Sequence, residues 1–126
     1  MDWITVGSLP FVPGPAAAYG YHMHPMMIDL DAIEGFDWDA GNERKSVAKH
    51  GVTMSEAEQA FFHEPLLMVM DEQHSGIEPR WHALGRTDAG RLLHLTFTLR
   101  QANTRIRVIS ARDMHRKERG IYGQTS

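Results

Sequence analysis

An α+β fold is what this sequence predicts, with two N-terminal helices packed on an antiparallel β-sheet and a short C-terminal helix. Three observations carry the prediction. Apolar residues recur at helical spacing at Met54, Ala57, Ala60 and Phe61, and alternate with polar ones over residues 91–100 and again at 105–108, the period of a half-buried strand. Helical and strand-like stretches are segregated along the chain, the order expected when helices cover one face of an antiparallel sheet. The length, 126 residues, suits one domain with a core of its own. The absence of cysteine excludes a disulfide scaffold, a thiol nucleophile and a cysteine-liganded metal.

Residues 7–25 contain four prolines and three glycines and cannot sustain a helix or a paired strand. They lack the basic start and apolar centre of a secretion signal. Residues 1–27 are therefore expected to be a disordered or non-native extension, with Met23, Met26 or Met27 as the true initiator. A partner-binding arm is the other reading, and His22 and His24 could hold a metal only weakly. The domain is expected to run from 28 to 126. Phe36 and Trp38 alternate with acids, as in a short strand. Asp39 is placed to cap a helix over 40–50, with Glu43 early, Lys49 and His50 late, and Gly51 ending it. Thr53 and Glu56 have capping-box spacing for a second helix, with Met54, Ala57, Ala60 and Phe61 on its apolar side and Pro65 stopping it. Strands follow at 66–71, 80–87, 91–100 and 105–111, with a tight turn at 87–90. Ser110 is the expected cap of a basic helix over 112–122.

Charge is unevenly spread. Residues 1–43 carry seven acids and no base, whereas residues 79–126 carry ten bases and three acids. Such asymmetry fits a surface built for a polyanion, or two ends that neutralise each other by packing together. Strand parity sharpens the first reading. Leu93, Leu95, Phe97 and Leu99 share one side, and Ile106 and Val108 suit the same core. Arg80, Arg86, Arg100, Arg105 and Arg107 would then share the opposite face with His82, His94, Thr96 and Thr98. Arginine outnumbers lysine ten to three, and guanidinium binds phosphate bidentately. Phosphate-loop, dinucleotide and H-E-x-x-H signatures are absent, and no two histidines have i,i+4 ligand spacing.

The order of motifs then becomes specific. Phe36-Asp37-Trp38-Asp39, Asn42, Lys45 and Lys49-His50-Gly51-Val52 resemble the opening of the BrnT toxin family. Glu56-Ala57, Phe61-Phe62, Arg80 through Gly85, Gly90 through Leu93, Arg107 through Arg112 and Arg116 through Arg119 with Tyr122 continue the resemblance over about residues 36–122. The resemblance implies a RelE-like fold and a cytoplasmic type II toxin, a metal-independent endoribonuclease without cofactor that inhibits translation. The implied partner is a BrnA-like antitoxin with a ribbon-helix-helix domain, through which alone operator DNA would be reached. Metal-free RNA cleavage needs a base, an acid and cations to hold the added charge. Arg80, Arg86, Arg100, Arg107 and Arg112 are the candidates for charge stabilisation, and His50, His82, His94 and Tyr122 for proton transfer. Lys45, Lys49, Arg91, Arg105 and Arg116 are the further RNA-binding candidates. A non-catalytic module that binds an antitoxin and co-regulates its operon is the alternative.

Overall fold

The computed structural model of the chain describes residues 2–9, 28–74, 76 and 78–125, apart from the side chains of 45–48. Among the described residues ten elements follow one another: β1 (Ile4–Val6), a 3-10 turn (Leu30–Ala32), β2 (Gly35–Phe36), α1 (Ala40–His50), α2 (Met54–Gln59), β3 (Leu66–Met70), β4 (Trp81–Arg86), β5 (Leu92–Arg100), β6 (Arg105–Asp113) and α3 (Arg116–Thr125). The strands form one sheet of order β1-β3-β4-β5-β6-β2. Every pair is antiparallel except β2 with β6.

Local sequence accounts for the helix starts. Asp39 Oδ1 accepts the Gly41 and Asn42 backbone N–H groups, the first free donors of α1. The buried Asn42 amide donates to the carbonyls of Asp37 and Val108 at 3.0 and 3.1 Å and so staples α1 to β6. At α2, Thr53 Oγ1 accepts the Glu56 N–H while the Glu56 carboxylate accepts the Thr53 N–H, a reciprocal capping box. Pro65 does not end this helix. Regular helix stops at Gln59, and Phe61 turns inward with no exposed surface.

The main core lies on the α1–α2 side of the sheet. Val52, Ala57, Ala60 and Phe61 meet Ala83, Leu93, Leu95, Phe97, Ile106 and Val108 there. Phe97 receives Phe61 edge-on at 5.3 Å and stacks with Trp81 at 5.9 Å. The odd-numbered residues of β5 face this core, as their alternation predicts. A bulge between Thr96 and Phe97 takes up one extra residue of β6, so that Thr96 faces Ser110 and Phe97 faces Val108.

Two boundaries differ from expectation. Residues 4–6 of the supposed extension pair with Leu66–Met68 of β3, and Leu9 is buried in the core with its N–H on the Phe61 carbonyl. The folded region therefore includes a segment well before Met27. The physical reason is a free strand edge: β3 offers backbone groups that β1 satisfies. His22, His24 and the proposed initiators lie outside the described residues. At the other end, Ser110 caps nothing, because β6 continues to Asp113 opposite Leu93. Helix α3 starts only at Arg116, with the Glu118 carboxylate accepting the His115 N–H at 2.8 Å. Strand pairing outweighs the local capping signal of the serine.

Candidate functional site

The second face of the sheet is divided into three bands by its register. At one end, Leu67, Leu84, Met114 and Tyr122 form a small apolar cluster under α3, with Trp3, Leu92 and Ile121 against it. At the other end, Thr98 faces Arg107 and Arg100 faces Arg105. Between them lies a polar band: His82 opposite Thr96, Thr96 opposite Ser110, and His94 opposite Arg112.

The polar band is organised around two carboxylates. Asp71, at the end of β3, places Oδ2 at 3.0 Å from His82 Nε2. The other ring nitrogen of His82 lies 3.1 Å from the Thr96 hydroxyl. Asp71 also accepts the His74 backbone N–H at 3.1 Å, and His74 Nδ1 stands 3.1 Å from its Oδ2. Burial pushes the Asp71 carboxyl upward, but the hydrogen bonds from His74 and the nearby imidazoles outweigh it and hold it below the usual value. Glu118 is the second anchor. It accepts both Arg112 NH1 and NH2, at 2.8 and 3.0 Å, in fork geometry. Against the upward push of burial, these bonds and the His115 N–H bring it down to about 2. His94 sits between the two systems, its ring 4.9 Å from that of His82 and Nε2 3.9 Å from Glu118. Burial, then the Arg112 charge, depress its pKa to about 4, so His94 is neutral near pH 7. Its Nδ1 is buried without a hydrogen-bond partner.

The expected arginine patch is split. Arg107 faces Asp37 at 3.6 Å and Asp39 at 3.1 Å, and Arg100 meets Glu78 at 3.1 Å. Arg105 reaches the Phe36 carbonyl, and Arg80 precedes β4 with its carbonyl accepting the Asp71 N–H. Arg86 is set apart. It faces Leu92, six residues and hence roughly 20 Å along the strand from the level of Thr98, and donates to the Glu64 carbonyl. Asp37, Asp39, Glu78 and Glu118 stand beside arginines of the sheet, brought there by elements that parity in one strand does not reveal.

Other candidates lie elsewhere. Arg91, expected to contact RNA, clasps Asp113 at 2.7 Å, Glu56 at 3.2 Å and the Gly51 carbonyl at 3.1 Å, tying both helix ends to the sheet. The His50 carbonyl accepts from the same guanidinium, which places His50 and the exposed Lys49 at the end of α1 and away from the polar band. The Lys45 side chain is outside the description. Tyr122 is buried, donates its hydroxyl to the Pro65 carbonyl at 2.6 Å, and has its pKa raised chiefly by that burial. Its hydroxyl is an anchor for α3. Arg116 is exposed on the first turn of α3. Sequence reasoning passed over Asp71, Thr96 and Glu118 as site residues. The D-x-x-H spacing from Asp71 to His74, which suits a carboxylate accepting from the third residue on, was the available signal for the first.

A cleft of about 560 Å³ opens beside β1 and β3, lined by Ile4, Val6, Ile28, Met68 and Trp81, and meets the polar band only at Asp71. Among the described residues no three histidine or carboxylate side chains converge to hold a metal ion. No helix among them is long and apolar enough to cross a membrane.

Comparison with curated proteins finds no match. A family model described as the ribonuclease toxin, BrnT, of type II toxin-antitoxin systems matches residues 38–118, from the segment between β2 and α1 into the first turn of α3 and including every residue of the polar band. That span is well over half of the chain, and the protein belongs to the BrnT family of type II toxin-antitoxin ribonuclease toxins.

Proposed function

We propose that this chain is a RelE-like, metal-independent endoribonuclease that cuts RNA across the polar band, inhibits translation in the cytoplasm, and is held inactive by a BrnA-like ribbon-helix-helix antitoxin. The observation that carries the reading is the Asp71–His82–Thr96 chain on a sheet face flanked by arginines. Histidine is the side chain suited to moving protons near neutral pH, and a carboxylate on one ring nitrogen fixes its orientation and tautomer.

With Asp71 accepting from Nε2–H, His82 Nδ1 is the acceptor, and the Thr96 hydroxyl is its replaceable partner. An RNA 2′-hydroxyl in place of that hydroxyl gives its proton to Nδ1. The 2′-oxygen then attacks the adjacent phosphorus, the bond to the 5′-oxygen breaks, and the departing 5′-oxygen takes a proton from solvent water, whose hydroxide is neutralised by the proton that His82 gained. The products are a 2′,3′-cyclic phosphate and a 5′-hydroxyl end. Arg107, two strand positions from the Thr96 row, and Arg112 supply the fixed positive charge that favours the five-coordinate phosphate. Arg80, Arg100 and Arg105 extend the basic end along which the strand would run. The antitoxin covers part of the surface around Arg80, Arg100 and Arg107.

The test is translation in a cell-free extract with RNA end mapping, with and without a chelator. Wild-type protein should cut RNA and arrest translation in both conditions. His82→Gln should lose about a hundredfold or more in cutting rate, the usual worth of a positioned acid–base group. Intact RNA with wild-type protein, or full cutting by His82→Gln, overturns the proposal.

A further inference from the structure

We propose that Trp3, carried into the sheet by β1, is a base-stacking residue of the RNA site, an inference that rests on the RNA-cleaving reading above. Three observations place it there. First, β1 is held at both ends. Its residues pair with β3, and Leu9 beyond it is buried with its N–H on the Phe61 carbonyl. Second, register fixes the side. Ile4 faces Met68 of the main core and Thr5 faces Leu67 of the other face, so Trp3 shares the face of Leu67, Leu84 and His94. Its indole meets the His94 ring at 85° with centroids 6.2 Å apart, and His94 in turn neighbours His82.

The third observation is how the aromatic rings are shared between the faces. Phe61 and Phe97 belong to the main core, and Phe36, Trp38, Phe62 and Trp81 pack against it. On the polar face, the described tryptophan, phenylalanine and tyrosine side chains are Trp3 and Tyr122, and Tyr122 is 3% exposed with its hydroxyl committed. Trp3 keeps part of its surface in solvent. Among the described tryptophan, phenylalanine and tyrosine rings of that face, Trp3 is thus the one with surface to offer. Proteins that read single-stranded RNA set exposed aromatic rings beside cationic phosphate contacts, because each base has a face that stacks. Trp3 packs against the cluster of Leu67, Leu84, Met114 and Tyr122, and a platform seated in this way loses little freedom when a base lands on it. A phosphate held near Arg112 and His82 leaves its neighbouring base within reach of this ring. The residue lies outside the span that defines the family, so it would tune this chain's choice of base without altering the shared chemistry.

The experiment uses the full chain and a short mixed-sequence RNA with 2′-O-methyl groups, which binds but cannot be cut, beside an abasic strand of the same length. Trp3→Leu, which keeps apolar packing, should bind the intact strand about tenfold more weakly, the usual cost of one lost stacked base. Its affinity for the abasic strand should match wild type, and Trp3→Phe should restore most of the loss. Should Trp3→Leu fail to fold, the Trp3 indole N–H resonance of the wild type answers instead. It should move with the intact strand and stay with the abasic one. Equal affinities of wild type and Trp3→Leu for the intact strand, or an unmoved resonance, overturn the inference while leaving RNA cutting intact. Wild-type protein that neither binds nor cuts RNA overturns the RNA-cleaving reading and this inference together.

Discussion

At the scale of single residues, His94 carries a cost that pH makes measurable. Its neighbours are Trp3 from β1, His82 from β4, Arg112 from β6 and Glu118 from α3. Burial first, and then the Arg112 charge, lower its pKa from 6.5 to about 4 in the folded chain. Between those values the unfolded chain binds a proton that the folded one refuses, so stability falls as pH falls through that window. A shift of this size corresponds to on the order of 3 kcal/mol. Glu118 acts in a lower window. Its folded value of about 2, against 4.5, gives stability present above 4.5 and lost as pH falls toward 2. Urea midpoints should therefore decline from pH 6.5 to 4. His94→Gln should flatten that decline and keep the loss below pH 4.5. An unchanged slope between 6.5 and 4 in the variant would count against the buried neutral imidazole as its source.

At the scale of elements, the contact between α2 and the sheet rests on the absence of one side chain. Gly85 lies in β4 opposite Leu93, and a Cβ there would run into the Ala60 carbonyl at the end of α2. Gly85→Ala must push the helix end away or distort a central strand, and overpacking of this kind costs about 1–3 kcal/mol. Gly123 in α3 is the contrasting case, since an added Cβ meets nothing within 4 Å. Gly123→Ala should stabilise by up to about 1 kcal/mol through helix propensity. Denaturant midpoints moving in opposite directions would bear out the geometry, whereas equal shifts would refute it. The elements readable in advance were those written by neighbours in sequence. The Asp39 cap, the Thr53–Glu56 box and the alternation of β5 each declare themselves within a few residues. Strand β1 does not, because three residues without clear alternation become a strand only when the β3 edge is beside them. The same holds for the last turn of β6, which its pairing with β5 keeps extended beyond Ser110.

At the scale of the whole molecule, the two ends of the chain meet as counter-charges. Arg107 from the basic third is flanked by Asp37 and Asp39 from the acidic third, while Arg100 and Arg112 meet Glu78 and Glu118. The sequence shows which face the arginines share, since parity is local. Their partners were hidden, because an ion pair between distant segments exists only once the sheet is assembled. On the proposed function, RNA at the basic end competes with these carboxylates, so affinity and its salt dependence should fall short of what the number of arginines implies. Asp39 allows the idea to be tested cleanly. Its carboxyl is held below the usual value mainly by the Asn42 backbone N–H, with Arg107 adding to the effect. Asparagine caps helices as well as aspartate does, so Asp39→Asn keeps the start of α1 and removes the charge facing Arg107. The variant should melt close to wild type, bind a non-cleavable RNA a few-fold more tightly at low salt, and lose that advantage as salt rises. Unchanged affinity at low salt would mean that the Arg107–Asp39 pair does not compete with phosphate, and that the two ends of the chain neutralise each other only for the fold.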